Sequence, residues 1–162
     1  MITAFELAGY FASHAIWSVS ESSEPFTPML ASAGESGRKM QRFVSEDLQG
    51  SVEKARAALE ANDGDAWDGV LLFDGRIPIG DKKYDAVIIE LRSYAFPGAE
   101  ATLAVPYTPL SSGRFKVHKP KLLQWHECDD FDQTAAIQAF FNGVDAHAEG
   151  SKVWTAALDQ SV

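Results

Sequence analysis

Apolar residues recur at Phe5, Ala8, Phe11, Ala12, Ala15, Ile16 and Val19, the three-and-four spacing that lines one helical face, which predicts a helix over Thr3 to Val19. It is expected to stop between Ser20 and Pro28, where serines, glutamates and two prolines lower helical propensity and remove backbone donors. Met29 and Leu30, then Met40, Phe43 and Val44, flank the segment Ala33-Gly34-Glu35-Ser36-Gly37, which predicts two short strands about a glycine-bearing turn. Ser45 is placed as a helix cap with Glu46 and Asp47 beside the positive end of the dipole, and Leu48, Val52, Ala55 and Leu59 form the buried stripe of a second helix that ends at Asn62 to Gly64.

The middle third changes period. Val70 to Phe73 is a short apolar run closed by Asp74-Gly75, and Val87, Ile89 and Leu91 alternate with Ala86, Ile88, Glu90 and Arg92 as a strand requires. Pro97-Gly98 supplies a turn, after which Leu103, Val105 and Tyr107 alternate again, so the two triplets are expected on one buried face of a hairpin around Ala95 to Ala99. Further strands are expected at Arg114 to His118 and Lys121 to Trp125, with Pro120 and Pro106 confined to an edge or a bulge. Phe131, Ile137, Phe140, Phe141 and Val144 return to helical spacing, capped by Asp130 or Asp132, and a last short helix is placed around Ser151 to Leu158. Consecutive strands with short links make the sheet mainly antiparallel, so residues 1–162 are read as a single α+β domain with four to six strands and helices on one face.

Composition narrows the function. With 46% apolar residues the chain can bury a core, and its net charge of -9 repels nucleic acid and anionic lipid. Cys128 is the only cysteine, no apolar run approaches the roughly 20 residues of a membrane span, and no basic leader precedes Arg38, so the expectation is a soluble, cytoplasmic protein without nucleic-acid or membrane partners.

His118, His126, Cys128 and Asp130 invite a metal reading, but one cysteine and scattered histidines do not supply the four ligands of a structural zinc site, and neither metal nor cofactor is expected. His126 and Cys128 share a side of an extended segment without a third orienting group. Gly34-Glu35-Ser36-Gly37 lacks the second outer glycine of a hydrolase elbow, and Gly75 to Gly80 lacks the lysine of a phosphate loop. Glu90, Arg92 and Tyr94 share the hairpin face opposite the core, where a wet sheet surface is expected, and together with Arg114 and His118 they are the candidate ligand-binding residues. Lys116, Lys119 and Lys121 are read as guards of an exposed edge or as neutralising Glu127 to Asp132.

Tyr10, His14 and Trp17 lie on neighbouring turns of the first helix and form a candidate aromatic interaction surface. The reading is therefore a non-catalytic binding or protein-interaction module with a protein or small-molecule partner, expected as a homodimer. The alternative is a small soluble enzyme, a hydrolase, with a polar cleft. A deep pocket with two convergent ionisable groups favours the enzyme, and a broad, flat apolar patch favours the module.

Overall fold

The computed structural model describes residues 1–162. Its elements in chain order are α1 (Ile2–Ser20), β1 (Met29–Gly34), β2 (Gly37–Arg42), α2 (Leu48–Ala61), β3 (Asp68–Ile79), β4 (Lys82–Ser93), β5 (Glu100–Thr108), β6 (Lys116–Val117), β7 (Lys121–His126), α3 (Gln133–Ala146) and α4 (Ala148–Ala157). The fold is α+β. One antiparallel sheet runs β2-β1-β3-β4-β5-β6, and β7 pairs with β5 beyond β6. No helix is long and apolar enough to cross a membrane.

The expected hairpin is present. Val87 opposes Val105 and Ile89 opposes Leu103, and both triplets are buried on the face that meets α1. That face, with Met29 and Ala31 from β1 and Val70 and Leu72 from β3, forms the main core with α1, α3 and α4. Local signals fix the helix ends. Asp47, not Ser45, caps α2 by accepting from the Gly50 N–H at 2.6 Å, and the Ser45 hydroxyl donates to the Asp47 carbonyl instead. Asp132 caps α3 through the Ala135 N–H, and Asn62 ends α2 in the left-handed conformation.

Two features depart from the reading of the pattern. The run at Val70 does not close at Asp74-Gly75, because β3 continues to Ile79 and pairs with β4 along its whole length. The pairing of β1 ends at Leu72, so β3 beyond that point has one free edge, where Pro78 leaves no ladder donor missing. Second, the reverse face is not wholly wet: α2 lies across it, with Ala55 and Leu59 on Leu71 and with Leu30, Phe43, Phe73 and Tyr94 around them.

β6 and β7 are one interrupted strand along the outer side of β5. The break falls at His118 to Pro120, opposite Pro106, whose carbonyl accepts from the His118 N–H at 2.8 Å and whose ring nitrogen offers nothing in return.

Candidate functional site

Glu90, Arg92 and Tyr94 do share one face, but each is engaged by its surroundings. The Arg56 guanidinium of α2 donates to both oxygens of Glu90 at 2.9 and 2.6 Å. Arg92 pairs with Glu100 across β4 and β5 at 3.4 Å. The Tyr94 hydroxyl donates to the Leu59 carbonyl, in space left by Gly69, and burial pushes its pKa up to about 12. The Glu90 and Tyr94 contacts fasten α2 to the sheet, and the Arg92 pair ties β4 to β5.

His118 and Arg114 are elsewhere. Arg114 is exposed ahead of β6. His118 is buried: its Nδ1–H donates to the Asp159 carbonyl at 3.1 Å, and Nε2 shares a hydrogen bond with the Thr108 hydroxyl at 2.8 Å. His118 lies opposite Pro106 of β5 and His126 opposite Glu100, six residues or about 20 Å apart along an extended strand. The buried Cys128 thiol lies 3.1 Å from the His126 carbonyl oxygen and 3.5 Å from that of Glu100, with one S–H to donate between them, and burial raises its pKa, whereas the His126 ring is exposed beside Glu127. No cluster of three His, Cys, Asp or Glu side chains is placed to hold a metal ion. Lys116 pairs with Asp159 rather than with the acidic segment after β7.

Tyr10, His14 and Trp17 converge, and the residue that gathers them, His147, was not singled out from the sequence. Its ring centroid is 5.0 Å from that of Tyr10, 5.3 Å from His14 and 5.9 Å from Trp17. His147 Nδ1 accepts from the Gly150 N–H at 2.9 Å and so caps α4, which leaves its proton on Nε2, 3.2 Å from His14 Nδ1. This hydrogen-bond pattern requires both rings to be in the neutral form. Burial is the chief cause that lowers both pKa values, and His14 is lowered further by His147 and Arg42.

Two concavities matter chemically. The first, about 310 Å³, lies on the α1 side of the sheet at the Ser22 to Pro25 loop, and holds Asp74, Arg76, Asp85 and Tyr107. The Tyr107 hydroxyl reaches both Asp74 oxygens at 2.8 and 3.0 Å. Burial, with Asp85 adding to it, raises the Asp74 carboxyl to about 6. This site was legible only in part: Asp74 and Arg76 continue the alternation of Val70 and Leu72, and Asp85 continues that of Val87, so extending both strands would have placed them together.

The second concavity, about 430 Å³, lies between α3, α4 and the break before β7. Leu103, Leu122, Ile137, Phe140, Phe141, Val144, Trp154 and Leu158 make it apolar, and Lys119, Asp145, Thr155 and Gln160 stand around it. Its sequence signal was the breadth of the apolar face of α3, where Phe141 and Ile137 remain partly exposed. Comparison of the chain with protein families, with curated proteins and with solved structures finds no match.

Proposed function

We propose that this chain is a non-catalytic binding module for a small, largely apolar molecule, held in the groove between α3, α4 and β7. The observation that carries the reading is the groove itself: about 430 Å³ of mainly apolar, concave space, within the size range of ligand sites. Lys119 at its edge makes no ion pair within the chain, so an acidic end on the ligand fits there. Decanoate is a suitable probe. Titration followed by amide NMR is expected to move Ile137, Phe141 and Leu158, and Ile137→Trp, which fills the groove, is expected to abolish the shifts. Shifts scattered over the surface, or unchanged in Ile137→Trp, reject the groove as the site.

The homodimer expected from α1 finds no support in the aromatic row. Tyr10, His14 and Trp17 are partly buried and already contact His147, and Arg38 lies over the Tyr10 ring at 4.1 Å.

A second reading, a small hydrolase, draws on Asp74. A carboxyl raised toward neutrality in a polar cavity, with Asp85 and Arg76 nearby, suits a general base acting on water. Hydrolysis of p-nitrophenyl acetate that rises with pH through about 6 and is lost in Asp74→Asn would favour it.

A further inference from the structure

The two edges of the sheet are treated differently. At the β6 edge the Asp159 N–H donates to the Val117 carbonyl, Pro120 interrupts the strand, and a bulge shifts the register between Thr102 and Leu103. These devices blunt an edge. At the opposite edge, β2 has six residues in unbroken register with β1, no proline and no bulge, and every one of them is exposed.

The pairing parity of β2 follows from its turn. Gly34 opposes Gly37, and the Phe43 N–H donates to the Pro28 carbonyl, so Lys39 and Gln41 direct their backbone groups to β1. The backbone donors and acceptors of Arg38, Met40 and Arg42 therefore face outward. Their side chains stand on the α1 side of the sheet, where Arg38 lies over Tyr10. In a chain with 23 acidic residues, none pairs with Arg38, Lys39 or Arg42.

We propose that β2 is a docking edge for an extended acidic segment of another polypeptide, which adds a strand to the sheet through Arg38, Met40 and Arg42. Main-chain hydrogen bonds supply the general affinity of such strand addition, and side-chain complementarity supplies the selectivity. Alternate acidic side chains of the added strand meet Arg38 and Arg42 on one face, and those between them meet Lys39 on the other. A second copy of this chain is the wrong occupant. Two antiparallel β2 edges centred on Met40 set Arg38 of each against Arg42 of the other, and like charges directly opposed across strands are unfavourable.

The test uses the whole chain and two capped octapeptides, one alternating threonine with glutamate and one alternating threonine with lysine. At low salt the acidic peptide is expected to shift the amides of Arg38, Met40 and Arg42 and slow their exchange, and the basic peptide is expected to do neither. Met40→Pro deletes an outward N–H that β1 does not use. It should leave the melting temperature in place and weaken the acidic peptide about tenfold, and Arg38→Glu with Arg42→Glu should weaken it at least as much. The proposal is overturned by any of three results: no shift at millimolar acidic peptide, equal binding of both peptides, or acidic-peptide binding that survives Met40→Pro, which would mean charge attraction without strand pairing. Light scattering that shows dimers lost in Met40→Pro would assign the edge to self-association instead.

Discussion

Gly9 on α1 and Gly143 on α3 meet at a helix crossing too close for any side chain. A methyl on Gly9 would fall on the Phe140 carbonyl oxygen, and one on Gly143 on the Glu6 carbonyl oxygen. Neither neighbour is a flexible side chain that can turn away. Gly9→Ala gains about 1 kcal/mol of helix propensity but forces the backbones apart, at a cost at the upper end of overpacking, about 3 kcal/mol. The expected net loss is about 2 kcal/mol in urea unfolding. Gly64→Ala is the control, since a Cβ there meets nothing within 4 Å, and equal effects at the two positions would rule out the tight crossing.

Ile89→Ala tests the hairpin. Ile89 is fully buried opposite Leu103 beneath α1, so its truncation leaves a cavity and should cost about 2–5 kcal/mol. A loss below about 0.5 kcal/mol, the range of ordinary surface changes, contradicts its place in the core.

Alternation and helical spacing made this hairpin, the three longer helices and the strands about Glu35-Ser36 readable, because each pattern requires only local geometry. They do not say which element will cover a face. Glu90 reads equally well as a wet surface residue, and only the arrival of Arg56 from α2 decides its partner. Asp74, Gly75 and Pro78 are strand breakers by propensity, yet the ladder to β4 carries the strand through them. The groove was hidden for the same reason: the apolar face of α3 serves both the core and an open concavity, and spacing alone does not separate the two.

The link between His14 and His147 should make stability depend on pH. A proton on His147 Nδ1 removes the acceptor that caps α4, and a proton on His14 Nδ1 sets two donors face to face. Arg42 opposes charge on His14, whereas Glu149 favours it on His147. Both folded values lie below the ordinary 6.5, so just below pH 6.5 the unfolded chain binds more protons and stability falls with falling pH. His147→Asn keeps a capping oxygen without a titrating ring. Urea unfolding between pH 7.5 and pH 5.5 should show a smaller loss in that variant, and an unchanged slope would disconnect the pair from the pH response.

Asp74 acts with the opposite sign. Its folded pKa of about 6 exceeds the ordinary 3.8, so between these values the folded chain holds the extra proton and stability is lost as pH rises. Above pH 6 the partly buried carboxylate keeps only the Tyr107 hydroxyl and nearby backbone donors to offset its desolvation, with Asp85 repelling it. Asn at this position accepts from Tyr107 and carries no charge. Relative to the parent, Asp74→Asn should therefore gain stability between pH 4 and pH 7.5, by about 1 kcal/mol once partial solvent exposure is allowed for. Parallel urea titrations at the two pH values measure the difference. A gain of the same size at both would mean that packing, not ionisation, sets the effect, and it would remove the raised carboxyl on which the hydrolytic reading of this pocket depends.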